Sequence, residues 1–263
     1  IKKWDDIDQV RMVPRGSWYV IEVIYRKESQ QSEVDPQLAA ALDLGVNVLA
    51  ALTSTKVGFP PLLVNGRPLK SLNQFYNKQR AQMQSELAKE NRQTSHRLDQ
   101  ITMKRNRRVN ASLHTASRRI IDLLVEEGIG TLIIGKNPLW KQEVEMGRKQ
   151  NQQFVQIPHA RFIEMLTYKA ELVGITVKVQ EESYTSKASF LDLDPIPTYD
   201  RALAGTHPFC GSRSGRWYRS QSGKRLHSDT NGSYNILRKA VPKAFETGIE
   251  GCVVIPRQMK LFT

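Results

Sequence analysis

A change of period along the chain constrains its fold more than any other feature. Residues 39–44, 48–53 and 62–64 are three short apolar segments, separated by Gly45-Val46-Asn47 and by residues 58–61. Turn residues at that spacing predict three strands in a meander. From Leu69 the repeat lengthens to that of a helix. Leu72, Phe75 or Tyr76, Met83 and Leu87 mark a first helix, and Val109, Leu113, Ala116, Ile120 and Leu124 a second, ended by Gly128 and Gly130. Residues 131–134 read as a strand closed by Gly135, and a polar, Gln-rich loop then runs to Pro158. Phe162, Leu166, Ala170 and Val173 predict a further helix stopped by Gly174, and residues 175–179 alternate as a strand. Residues 183–228 show no sustained period. A last helix, following Asp229-Thr230-Asn231, carries Tyr234, Ile236, Leu237 and Ala240.

Upstream of the meander, residues 18–25 are apolar on both sides of a two-residue alternation and predict a strand buried on both faces; the polar run 27–35, ending at Pro36, predicts a boundary. Three strands, helices, strand, helix, strand, loop and helix follow. That is the element order of an α/β, RNase H-like fold, a mixed sheet flanked by helices, with carboxylates gathered at strand ends and at the start of the last helix.

Charge says more about partners than about fold. The 263 residues hold 39 Lys+Arg against 26 Asp+Glu, a formal net charge of +13. Residues 70–119 alone carry twelve bases against Glu86, Glu90 and Asp99. Three acids cannot pair twelve bases within helices, so this basic helical insertion is expected to bind phosphates, with Lys78, Arg80, Lys104, Arg105, Arg107, Arg108, Arg118 and Arg119 as the nucleic-acid-binding residues. No apolar run approaches the roughly 20 residues that cross a bilayer, so no membrane partner is expected. Two cysteines, Cys210 and Cys252, are too few for a disulfide framework or a four-cysteine zinc site, and a reducing cytoplasm is the expected compartment. The chain starts at Ile1 with no secretory leader pattern, and reads as truncated or processed there.

Carboxylates are the candidate chemistry. Asp43, in Leu-Asp-Leu-Gly-Val-Asn, lies at a strand end before a turn glycine, and serves either as a turn former or as a metal ligand on a rigid strand. Asp229, in His-Ser-Asp-Thr-Asn-Gly-Ser-Tyr-Asn-Ile, suits a helix N-cap, a metal ligand, or both. Glu181 and Glu182 follow a strand of the same sheet and suit either a solvated turn or the third corner of a cluster. Nucleases that use two metal ions need three or four such carboxylates. None of the five histidines forms a short-spaced pair, which argues against a His-based zinc site; His159, at the start of its helix, and His227, which could support the nearby Asp229, are both expected at the surface. The absence of Walker, Gly-x-Gly-x-x-Gly and Gly-x-Ser-x-Gly motifs excludes ATPase, dinucleotide-dependent dehydrogenase and α/β-hydrolase readings.

Leu-Asp-Leu-Gly-Val-Asn, Trp140-Lys141, Gln156-Ile157-Pro158, Glu182-Ser-Tyr-Thr-Ser and Asp229-Thr-Asn-Gly-Ser-Tyr-Asn-Ile, in this order between about residues 17 and 241, resemble the TnpB (OrfB) proteins of bacterial insertion sequences. That family is similar to type V CRISPR effectors. The resemblance implies a RuvC-like nuclease domain over 36–241, with the basic insertion at 70–127, and the end of a preceding RNA-binding β domain over 1–35. Residues 242–263 read as an irregular tail. It further implies guide RNA and target DNA as partners, Mg²⁺ (or Mn²⁺) as cofactor, and a bacterial cytoplasmic protein.

Two departures stand out. The strand at 131–134 ends in Gly135 where most of the family has its second catalytic Glu, and the resemblance assigns that role to Glu182, beside Asp43 and Asp229. The family's zinc-ribbon cysteines fall at Ser189, Asp192, Arg219 and Ser222, so 187–226 is a degenerate, cysteine-free ribbon for which no zinc is expected. Packing of Phe190, Phe209, Trp217 and Tyr218 is expected to hold it instead. The leading expectation is an RNA-guided, Mg²⁺-dependent DNA endonuclease. A nuclease-dead RNA-guided binding protein, a transposase that joins strands, and a junction resolvase are its rivals.

Overall fold

The computed structural model describes residues 7–15, 18–137, 156–200, 206–246 and 248–261. Trp140-Lys141 and most of the Gln-rich loop lie outside them. The meander forms as read: β3 (Asp35–Leu44), β4 (Val48–Ser54) and β5 (Leu62–Asn65) are antiparallel neighbours. Helices α1 (Arg67–Lys89) and α2 (His96–Glu126) lead to β6 (Ile129–Gly135), which lies parallel to β3. Helix α3 (His159–Glu171) then leads to β7 (Thr176–Gln180), parallel to β6. The sheet is mixed and six-stranded, in the order β11-β5-β4-β3-β6-β7.

Its outermost strand, β11 (Arg257–Met259), comes from the tail and pairs parallel with β5. The expected irregular tail therefore contains an edge strand, three residues long and too short to show a period in sequence.

One face of the sheet carries the larger core. Leu42, Leu52, Leu132 and Ile134 pack there against Leu69 of α1, Leu113 and Ile120 of α2, and Phe162 and Leu166 of α3. The positions that marked the second helix, from Val109 to Leu124, are all buried, which is why a helix with many exposed bases is stable: its apolar stripe is covered. Each of its fully buried leucines contributes about 1.5–3 kcal/mol. Gln156 exchanges two hydrogen bonds with Asn77 (2.8 and 3.1 Å), and its carbonyl accepts from Arg105 (2.8 Å), so the Gln-Ile-Pro string fastens α3's entry to α1 and α2.

The opposite face is covered by α4 (Ser228–Ala240). Ala39, Ala41 and Ile133 face Tyr234, Ile236 and Leu237 there, together with Phe190, Tyr218 and Phe245. Between β7 and α4 a second, three-stranded sheet holds β8 (Ser212–Ser214), β9 (Trp217–Arg219) and β10 (Arg225–His227).

Residues 18–25 do form a strand, β2 (Trp18–Tyr25), but it pairs only with β1 (Ile7–Arg15) in a separate ribbon. Tyr19 and Ile21 are each 66% exposed, so the expectation of burial on both faces is corrected: the side carrying Trp18 meets the body, with the Arg107 guanidinium 5.3 Å from its ring centre, and the other faces outward. An apolar alternation reports what could be covered, not what covers it.

Candidate active site

The parallel strands β3, β6 and β7 end at one edge of the sheet, the place where open α/β sheets bind ligands. Asp43 is the residue after Leu42, which pairs with Ile134, and Gly135 pairs with Gln180, two residues before Glu182. Asp43 shares its face with Ala39 and Ala41, so its carboxylate points under α4. There its Oδ2 lies 2.5 Å from where a Cβ on Gly232 would stand. Position 232 therefore has to be glycine if α4 is to lie this close to Asp43.

Neighbouring residues of the α4 motif each have a task. Asn231 accepts from the Phe190 N–H (2.9 Å) and donates to the Ala188 carbonyl (2.8 Å), and Asn235 donates to the Thr185 and Ala188 carbonyls. Ser233 donates to the Ala41 carbonyl (2.9 Å) and meets Thr53. Tyr234 stacks on Phe190, ring centres 4.2 Å apart, and donates to the Val253 carbonyl. The helix is thus bolted to the sheet on one side and to the 185–190 loop on the other. The N-cap role considered for Asp229 belongs to His227, whose Nδ1 accepts the Asp229 N–H at 3.3 Å. Asp229 sits in the first turn, where the helix dipole favours a carboxylate.

Glu181 and Glu182 point to different surroundings. Glu181 pairs with Lys239 and accepts from the Ser183 N–H, and although burial opposes its ionisation, these bonds hold its carboxyl below the ordinary range. Glu182 turns the other way. Asn137 accepts its N–H at 3.0 Å, its carbonyl accepts from the Thr185 hydroxyl at 2.8 Å, and its Oε2 lies 2.6 Å from where a Cβ on Gly135 would be. Its carboxylate fills the space beside β6 that any side chain at 135 would need.

The three acids sense one another. Burial raises the Asp43 carboxyl well above the ordinary range, the charges of Glu182 and Asp229 raise it further, and Arg213 opposes them. Burial, then Glu181, pushes Glu182 up to about 7. Asp43 is nonetheless only partly buried. Among the described residues no three His, Cys, Asp or Glu side chains stand in ready ligating geometry around a single point. A crowded set of hard oxygen donors with too little positive charge still fits a Mg²⁺-type ion, which prefers one or two carboxylates and keeps waters.

Of the neighbours of Asp229, Arg213 has no signal in the sequence, whereas His227 lies two residues away in it. Arg213 of β8 approaches Asp229 Oδ1 at 3.4 Å, and the His227 ring lies 3.7 Å from Oδ2. His227 is half-buried rather than at the surface, and burial lowers its pKa despite Asp229. His159, also expected at the surface, is fully buried behind the Asp43 turn, its Nε2 3.1 Å from the Gly45 carbonyl.

The basic candidates divide. Lys78, Arg80, Lys104 and Arg108 are exposed, with no side-chain partner among the described residues. Arg118 pairs with Asp122 and Arg119 donates to the Lys260 carbonyl, both at exposed positions. Arg105 is a fastener instead: it donates to Asn73, Asn106 and the Gln156 carbonyl, and burial lowers its pKa. Arg107 lies against Trp18. Of the four aromatics expected to hold residues 187–226, Phe190 and Tyr218 are fully buried, whereas Trp217 is 48% exposed.

A mixed sheet flanked by helices, with acidic side chains at the ends of its parallel strands, defines an RNase H-like, RuvC-type chain. Two family models follow one another along it: the OrfB_IS605 family, described as probable transposase, over residues 22–140, and the Cas12f1-like TNB domain over 159–236. Asp43 falls in the first stretch, and Glu182 and Asp229 in the second. Over these two stretches the chain is similar to the OrfB_IS605 (TnpB) and Cas12f1-like families. A curated relative, the TnpB-like protein ORF457 of Acidianus two-tailed virus, is 25% identical over 232 residues, which make up 82% of this chain and 45% of that protein. The fold is that of two solved assemblies. A Cas12f1–sgRNA–target DNA complex matches with a TM-score of 0.53 and 17% identity over 89% of this chain and 55% of the other, and a CRISPR-Cas12f ternary complex with 0.52 and 15% over 86% and 44%. The chain thus spans about half the length of these relatives.

Proposed function

We propose that this chain is the nuclease part of an RNA-guided, Mg²⁺-dependent DNA endonuclease, with Asp43, Glu182 and Asp229 as the metal-binding carboxylates. The observation that carries this reading is the placement of Glu182: it reaches across Gly135 toward Asp43, supplying from β7's end the acid that β6 lacks. When bound, Mg²⁺ or Mn²⁺ would activate a water for in-line attack on a phosphodiester and stabilise the charge that develops on the leaving 3′ oxygen. The protein's own part is to hold three ionised carboxylates against their mutual repulsion on rigid elements. Gly135 and Gly232 clear the space, and the hydrogen bonds of Asn231, Ser233 and Asn235 fix α4 over the sheet. Exposed bases on α1 and α2, Lys78, Arg80, Lys104 and Arg108, would follow phosphates without reading sequence, which pairing between RNA and DNA would supply. The complexes of the structural relatives, which contain sgRNA and target DNA, support those partners.

The test is cleavage of matched plasmid DNA, with Mg²⁺, by the full-length protein copurified with its RNA. Wild type cuts and Asp43→Ala binds the same DNA without cutting it. Cleavage surviving in Asp43→Ala, or RNA-dependent binding with no cleavage by wild type, refutes the nuclease assignment. The second outcome is what a protein acting by binding alone would give.

A further inference from the structure

Two carboxylates outside the proposed metal cluster are wired across the boundary between the small sheet and the body. Asp192 Oδ2 accepts from the Ser189 hydroxyl at 2.5 Å and from the Gln221 N–H, in the β9–β10 turn, at 2.9 Å. Asp194 is buried, and its Oδ2 accepts the N–H of Ser189 at 2.8 Å and that of Cys210, just before β8, at 3.0 Å. The Asp194 N–H donates back to the Ser189 carbonyl, and the Asp194 carbonyl accepts from Arg238 of α4. Ser189 is itself fully buried, one residue before Phe190, whose N–H is held by Asn231. Both ends of the small sheet, the hairpin tip at Gln221 and the entry at Cys210, are therefore tied to one buried residue that α4 holds. Tyr218 fills the space between, donating to the Lys187 carbonyl at 2.6 Å.

We propose that Asp192 and Asp194 are positioning residues: a hydrogen-bonded cross-link that docks β8–β10 on the body without a metal ion and so sets Arg213 beside Asp229. The arrangement suits that task. Arg213 lies on β8, so its approach to Asp229 depends on the small sheet, which consists of three-residue strands and needs an outside tether to keep it in place, whereas His227 ends β10 and also caps α4. A carboxylate that accepts from donors on two segments does what a shared metal ion does in a ribbon, since each of its bonds is charge-assisted. Replacing it by an amide keeps the shape and one acceptor oxygen but removes the charge, so each of these bonds loses its charge assistance. The catalytic consequence rests on the nuclease reading; the docking itself does not.

Amide hydrogen exchange on the full-length protein tests it. Asp192→Asn is expected to speed exchange across residues 212–227 by about tenfold or more while β3, β4 and β6 keep their protection, and a strong zinc chelator is expected to leave wild type unchanged. Asp194→Asn should act the same way; should it fail to fold, the partly exposed Asp192 still decides the question. Unaltered exchange in Asp192→Asn, or a chelator that loosens 212–227 in wild type, overturns the cross-link. In cleavage assays Asp192→Asn should lower kcat with DNA binding unchanged. Loose exchange with normal kcat would keep the docking and remove its role around Asp229.

Discussion

The carboxylate of Glu182 occupies the place of a missing side chain: its Oε2 is 2.6 Å from where a Cβ on Gly135 would be, and Ile236 Cδ1 is 2.5 Å from the same point. Gly135 and Glu182 are thus one structural unit, an acid supplied from one strand into a gap left by its neighbour. Gly135→Ala should displace the ends of both side chains. Because those ends are flexible, the loss of stability should be about 1 kcal/mol, while cleavage falls at least ~10-fold. Thermal melts and single-turnover cleavage, compared on one preparation, check the split.

Gly232→Ala tests the other approach. Its methyl would stand 2.5 Å from Asp43 Oδ2, and Asp43 lies on a strand that cannot yield. We expect cleavage lost, divalent-metal affinity reduced, and DNA binding retained. Isothermal titration with Mn²⁺ reads the metal affinity directly.

The crowding of the acids makes metal-free stability depend on pH. Glu182 titrates near 7 in the folded chain against an ordinary 4.5. Its folded-state pKa is raised, so the associated stability is fully present below about 4.5 and is lost as pH rises through about 7, by on the order of 2 kcal/mol. Asp43, shifted in the same direction, adds to the loss. Metal-free protein should therefore melt at a lower temperature at pH 8 than at pH 5.5. Glu182→Gln should flatten that slope, and saturating Mg²⁺ should offset it. Melting curves over this range decide the point.

The basic helices should separate into binding and fastening residues. Lys104→Ala and Arg108→Ala should each weaken nucleic-acid binding across all sequences and lower the magnitude of the salt slope by about 1. Arg105→Ala should instead cost stability, because it leaves Asn73 and the Gln156 carbonyl without their donor. Binding at several salt concentrations, beside melting temperatures, distinguishes the two.

Periodicity carried most of the fold. Helix α2 announces itself because its buried Val109-to-Leu124 stripe repeats, and the meander and β6 because they are short apolar runs bounded by turn residues. What stayed hidden has no period: β8–β10 and β11 are three residues each, and the outward side of β2 is as apolar as its inward side. Asp43 and Asp229 could be picked out from strand and helix ends. The residues alone leave Glu181 and Glu182 undivided, and only the resemblance selects Glu182; the pairing of Glu181 with Lys239, far along the chain, has no local signal. Arg213 comes beside Asp229 only through the docking of the small sheet, a tertiary fact with no local signature, whereas His227 lies two residues from Asp229 in the sequence itself.

The most direct test of the account compares Glu182→Gln with Glu181→Gln in cleavage of matched DNA, using the full-length protein with its RNA and Mg²⁺. Glu182→Gln is expected to bind DNA as wild type does without cutting it, whereas Glu181→Gln still cuts. Cleavage by Glu182→Gln at the wild-type rate would contradict it and would place the third carboxylate elsewhere.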